Sequence, residues 1–134
     1  MNKKKVLIVS ATYYEDISKD LEMWASRHLD NGGIKNKIFQ VPGVFEIPVV
    51  ISKNIKKYDG FIALGCVIKG ETPHFDFISQ STTNAIMKLS IDYKKPIGNG
   101  IITCLNREQA LARTKKGEEA ANAVIQVLSY KKLF

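Results

Sequence analysis

Phe61-Ile-Ala-Leu-Gly-Cys-Val-Ile68 is an apolar run with no polar residue to mark a solvent face. A strand with one wet face alternates, so a continuous run of this length predicts a strand covered on both sides, as in a parallel sheet wrapped by crossover helices. Val6-Leu-Ile-Val9, inside the run Lys5 to Ser10, reads the same way. Ile34 to Val41 and Pro96 to Leu105 are two further β-branched stretches, giving four strands. Between them lie residues at helical spacing: Ile17, Leu21 and Trp24; then Phe45, Val49 and Ile55; then Phe75, Ile78, Ala85, Ile86 and Leu89. After the fourth strand, Asn106 to Arg113 and Glu118 to Leu128 predict a broken or paired terminal helix, with Ala121, Val124, Ile125 and Leu128 on one face. Repeated β-α units with right-handed crossovers make a three-layer α/β/α sandwich on a four-stranded parallel sheet, a flavodoxin-like arrangement. Ligands of such sheets bind beyond the carboxyl ends of the strands, so the segments that follow each strand are where chemistry is expected.

Composition sets the frame around this fold. The 134 residues suit a single domain, 1–134, and 45% apolar with 25% charged residues is the balance of a folded globule. No apolar run approaches the roughly 20 residues needed to cross a bilayer, and Val6 to Val9 is too short for the apolar core of a signal peptide. Cys66 and Cys104 both sit in apolar runs and read as reduced core thiols, so a cytoplasmic setting is expected. The net charge of +7 suits an anionic partner. Beyond the opening triplet, however, the lysines come as scattered pairs (Lys56-Lys57, Lys94-Lys95, Lys115-Lys116, Lys131-Lys132). A nucleic-acid footprint calls for a basic stripe interleaved with exposed aromatics, so neither nucleic acid nor a membrane is expected as a partner.

Two post-strand segments carry chemistry. Val41-Pro-Gly-Val-Phe-Glu-Ile-Pro48 has a glycine for a tight turn and Pro48 for an early helical position, which sets Glu46 near a helix start, either as a dipole-facing carboxylate or as a ligand-binding acid. Gly65-Cys-Val-Ile-Lys-Gly-Glu-Thr-Pro-His-Phe-Asp-Phe77 is a glycine-punctuated loop that opens into a helix. Free backbone amides over Gly70 to Pro73 together with a helix dipole suit a phosphate, and Thr72 adds a hydroxyl. His74 stands beside that loop, where an imidazole able to give and take a proton near neutral pH is useful. His28 lies on an amphipathic helix and reads as structural. Two His and two Cys at 28, 66, 74 and 104 offer no close ligand pair of zinc-finger or protease spacing, so no metal is expected. G-x-S-x-G, Walker and strand-linked G-x-G-x-x-G signatures are absent. Gly98-Asn-Gly100, within the fourth strand, reads as a close backbone approach.

In their order along nearly the whole chain, these segments resemble the 6,7-dimethyl-8-ribityllumazine synthase family of riboflavin biosynthesis. The resemblance runs through Val9-Ser-Ala-Thr-Tyr-Tyr14, Pro42 to Pro48, Gly65 to Phe77, Gly98-Asn-Gly-Ile-Ile-Thr103, Gln109-Ala-Leu-Ala-Arg113 and Lys116-Gly-Glu-Glu-Ala-Ala121. It implies condensation of 5-amino-6-(D-ribitylamino)uracil with 3,4-dihydroxy-2-butanone 4-phosphate, with release of phosphate and water and with no metal or organic cofactor. It further implies that His74 moves protons, that Glu71 and Thr72 with Arg113 hold the phosphate, and that Tyr13 stacks on the pyrimidine. Val44, Phe45 and Glu46 then line the ribityl and uracil side, the backbone of Cys66, Val67 and Ile68 meets ring polar groups, and Lys116 meets the uracil end. Asn99 stands where many members carry an aromatic residue. Asn99, Arg113 and Lys116 are expected to complete a neighbour's site in a homopentamer, and the short arm before the first strand favours a bare pentamer over a shell. A non-catalytic flavin or lumazine carrier on the same scaffold is the alternative reading.

Overall fold

A computed structural model describes residues 3–130, so the lysine pair at 131–132 lies outside the described residues. Four strands, β1 (Lys5–Ala11), β2 (Lys35–Val41), β3 (Gly60–Ile68) and β4 (Ile97–Cys104), alternate with α1 (Glu15–Asn31), α2 (Ile47–Lys53) and α3 (Phe75–Tyr93). A short α4 (Arg107–Ala112) and α5 (Lys116–Leu128) follow β4. The sheet is parallel throughout, in the order β2-β1-β3-β4. The expected α/β sandwich is therefore present. Chain direction reverses its spread between β1 and β3, the switch point at which the carboxyl ends of an open sheet leave a crevice.

The continuous apolar runs feed two core layers by simple alternation. From β1 and β3, Val6, Ile8, Ile62 and Leu64 point into a layer closed by Ile17, Leu21 and Leu29 of α1 and Ala121 and Val124 of α5. Leu7, Val9, Phe61 and Ala63 point the other way, onto Ile47 and Ile51 of α2 and Ile86 of α3. All nine residues of β3 are buried, whereas β2, at one edge, is largely exposed.

The expected face of the second helix needs correction. Phe45 and Val49 are exposed, and Ile55 is buried beyond the end of α2. Phe45 belongs to a 3-10 turn, Val44–Glu46, that precedes α2. With Pro48 in its first turn, the helix proper starts at Ile47, which sets the inward phase at Ile47 and Ile51, one i,i+4 step apart. At the chain's other end, Asn106 Oδ1 accepts from the Gln109 amide at 2.8 Å while Gln109 Oε1 accepts from the Leu105 amide at 2.8 Å. This reciprocal cap starts α4 sharply after β4.

Candidate active site

A cleft of about 330 Å³ opens at the switch point, lined by Tyr13 after β1, Gly43 to Glu46 after β2, Cys66 and Val67 of β3, Thr72 to His74, and Ile78 of α3. Eight of the residues expected at the site from sequence therefore meet in one place: Tyr13, Val44, Phe45, Glu46, Cys66, Val67, Thr72 and His74. Tyr13 and Phe45 are 62% and 58% exposed, so two aromatic faces stand in the open mouth of the cleft. Glu46 serves its own turn first. Its Oε1 accepts the Gly43 amide at 3.0 Å, which holds the carboxylate at the cleft wall.

The loop after β3 differs from the expectation of free amides at its tip. The Glu71 and Thr72 amides both donate to the Ile68 carbonyl, at 3.2 and 3.0 Å, because Gly70 takes a φ of 86° that folds the chain back over the strand end. The Ile68 carbonyl is thereby occupied, and Ile68 and Glu71 lie outside the cleft lining. The amides without an intrahelical acceptor are instead those of Phe75 to Phe77, since the first bond of α3 runs from the Ile78 amide to the His74 carbonyl. His74 is the residue before that helix and adopts a left-handed backbone, φ 60° and ψ 37°. Among side chains that tolerate this region histidine is enriched, and the conformation delivers the imidazole to the cleft at the helix entrance.

Asn99, Arg113 and Lys116 lie elsewhere. Arg113 and Lys116 line a second cleft of about 440 Å³ against Ile101, Ile102 and Thr103 of β4, and the two clefts share no lining residue. Arg113 donates weakly to the Thr103 carbonyl at 3.4 Å, and Lys116 pairs with Glu119 at 3.8 Å, so both cations remain largely available. Asn99 is exposed near the start of β4, on the sheet edge opposite β2.

Three residues beside the first cleft were not singled out by sequence. Tyr14 is buried behind Tyr13, Arg107 lies over its ring, and Asp16 holds the Arg107 guanidinium at 2.8 Å. Desolvation at that ion pair works to raise the Asp16 carboxyl, but hydrogen bonds from Arg107 and from the α1 backbone outweigh it and hold the group below its ordinary range. Nothing in their spacing flags these three residues, because Tyr14 and Asp16 follow β1 whereas Arg107, the residue that joins them, follows β4. His28 contacts Asn122 at 3.4 Å on the α1–α5 seam, away from the cleft. Among the described residues, no cluster of His, Cys, Asp or Glu is placed to hold a metal ion, and no helix is long and apolar enough to cross a membrane.

Comparison with known proteins gives the fold and the site a family. The ABC domain in complex with L-Trp from Streptococcus pneumonia superposes with a TM-score of 0.50 at 16% identity, covering 96% of this chain and 41% of that one, a likeness of fold alone. Sequence relatives reach much further. A 6,7-dimethyl-8-ribityllumazine synthase of Bartonella bacilliformis is 41% identical over 138 residues, covering 96% of this chain and 91% of that protein. One from Agrobacterium fabrum is 40% identical over 144 residues, covering 98% and 97%. Residues 3–132 match the family described as 6,7-dimethyl-8-ribityllumazine synthase. Identity of this order over nearly the full chain, joined to a switch-point cleft between β1 and β3, shows that the chain belongs to the lumazine synthases, enzymes of riboflavin biosynthesis.

Proposed function

We propose that the cleft between the ends of β1 and β3 is where 5-amino-6-(D-ribitylamino)uracil and 3,4-dihydroxy-2-butanone 4-phosphate are condensed to the lumazine, with release of phosphate and water. The observation that carries this reading is the convergence of two open aromatic faces, one carboxylate, one hydroxyl and one imidazole on a single cleft. Tyr13 stacks on the pyrimidine, while Val44, Phe45 and Glu46 border its ribityl side and the backbone of Cys66 and Val67 borders the ring. The Thr72 hydroxyl, next to the amides that open α3, takes the phosphate end, where orphan N–H groups and the helix dipole favour negative charge; Glu71, its amide already given to Ile68, takes no direct part. His74 accepts a proton as the amine adds to the ketone and returns it as phosphate leaves.

Three further residues act across a subunit boundary in this reading. Asn99, Arg113 and Lys116 supply the neighbouring subunit's cleft, Arg113 gripping phosphate through its planar fork and Lys116 meeting the uracil end. Supporting this, they cluster on or beside the open edge strand and share no lining with the chain's own cleft. Phe77, Met87 and Ile91 also leave α3 with exposed apolar side chains that a partner subunit would cover. The assembly is a homopentamer of single-domain chains, acting in the cytoplasm.

The test is steady-state kinetics, following lumazine absorbance with both substrates varied. Arg113→Ala raises the apparent constant for the butanone phosphate by about 10- to 150-fold, the usual worth of a charge-assisted contact, and leaves that of the aminouracil in place. An unchanged phosphate-substrate constant with a raised aminouracil constant overturns the assignment.

A further inference from the structure

Tyr14 ties three strand ends together from behind the cleft. Its ring is 9% exposed and belongs to the core layer under α1. The ring of Tyr13 meets it edge-on, with centroids 4.9 Å apart and an interplanar angle of 85°. On another side the Arg107 guanidinium sits 5.6 Å from the Tyr14 centroid, itself fixed by Asp16. The hydroxyl lies 3.2 Å from Thr72 Oγ1.

That last contact stands out against how the 69–74 loop is otherwise held. Its backbone is anchored at the root, by the Lys69 amide on the Cys104 carbonyl and by the Glu71 and Thr72 amides on Ile68. Toward the tip, Gly70 and His74 both sit at positive φ. Among the described residues, the Tyr14–Thr72 contact is the one side-chain hydrogen bond joining this loop to another element. A threonine hydroxyl has a single proton. If it is given to a phosphate oxygen, the threonine oxygen can only accept from its other neighbour. Tyr14 is suited to be that donor, since burial, partly offset by the Thr72 hydrogen bond and helped by the nearby Glu71 charge, raises its hydroxyl above the ordinary 10.0 and keeps it protonated.

We propose that Tyr14 is a positioning residue for the phosphate subsite: its O–H donates to Thr72 Oγ1, so that the threonine proton is directed at the phosphate monoester rather than back into the protein. This rests on the reading of Thr72 as a phosphate contact. Tyr14→Phe removes the hydroxyl but keeps the ring, its edge contact with Tyr13 and the face under Arg107. The expected result is a rise of about three- to ten-fold in both the apparent constant for the butanone phosphate and the inhibition constant of inorganic phosphate, the range of a neutral hydrogen bond. The aminouracil constant and the melting temperature stay within error, which a purely structural role would not allow together with that selective rise. In a Thr72→Val background Tyr14→Phe has no further effect, whereas in Thr72→Ser, which keeps a hydroxyl, it has its full effect. Should Thr72→Val shift the phosphate constants while Tyr14→Phe does not, or should the two shifts simply add, the role of Tyr14 is wrong. If Thr72→Val itself leaves both phosphate constants unmoved, the underlying reading of Thr72 is what has failed, and the inference falls with it.

Discussion

His74 combines a strained backbone with a reactive side chain, and the two are separable by substitution. Replacement by alanine removes the imidazole, while the aromatic walls and the helix-opening amides that hold the two substrates in the proposed site remain. Holding reactants together is itself a large part of the acceleration of a two-substrate condensation. Turnover of His74→Ala at saturating substrates therefore falls by only about 10- to 100-fold, the low end of what a proton carrier supplies. An undiminished rate removes His74 from the chemistry. Cys66 shows the opposite case, a group at the cleft that chemistry cannot easily reach. Burial, reinforced by the neighbouring Cys104 thiol and partly offset by Arg107, pushes its pKa from 9.0 up to about 12. The folded thiol therefore keeps its proton where the unfolded one ionises. Its contribution to stability is whole below pH 9.0 and is lost as pH rises toward about 12. A thiol-reactive chromophore is expected to leave Cys66 untouched at pH 8 in the native protein and to label it at once in urea; rapid labelling of the native protein contradicts this.

At the scale of elements, α5 is pressed against its neighbours more closely than any side chain permits. A Cβ on Gly98 would sit 2.3 Å from the Ala120 carbonyl oxygen, and one on Gly117 would sit 2.3 Å from that of Leu21, backbone in both cases. Neither partner can swing aside as a side-chain tip would. Gly98→Ala is expected to lower unfolding stability by about 3 kcal/mol, the upper end of ordinary overpacking, with an unchanged urea m-value. A loss below about 1 kcal/mol shows that α5 can slide. The close approach at Gly98 was legible from the Gly-Asn-Gly spacing, as the two buried strands were from their unbroken apolar runs. The face of α2 was not, because periodicity gives a phase only once the helix start is known, and the 3-10 turn at Val44 shifted that start. The cleft was legible as segments but not as contacts. Glu46 capping Gly43 depends on the 3-10 turn at Val44, and the loop amides turning onto Ile68 depend on a φ at Gly70 that glycine permits without dictating. Tyr14 escaped notice for a similar reason, since its partners Thr72 and Arg107 are distant in sequence and no local period connects them.

For the whole molecule, the shared site proposed above makes activity depend on assembly. Light scattering is expected to give the mass of a pentamer, and dilution to monomer should abolish turnover. Mixing dissociated His74→Ala and Arg113→Ala chains and letting them reassociate should recover activity, at low butanone phosphate, above that of either variant alone, because some interfaces then pair an intact His74 with an intact Arg113. A fully active monomer, or no recovery on mixing, contradicts the shared site. The mode of contact is constrained as well. Asn99 Oδ1 accepts from the Ile101 amide at 3.0 Å, which occupies a donor of β4 that an added strand would use, so in the proposed assembly neighbours are expected to meet through side chains rather than by extending the sheet. The strand order has a consequence during synthesis. A ribosome releases β1, α1 and β2 first, and β1 pairs with β2 along one side only. The other side, from Val6 to Ser10, waits for Gly60 to Leu64. Until β3 has left the exit tunnel, the nascent chain carries an open β1 edge flanked by apolar residues with no central strand to bury them. The chain is most exposed to chaperones and to aggregation at its midpoint, before the cleft exists.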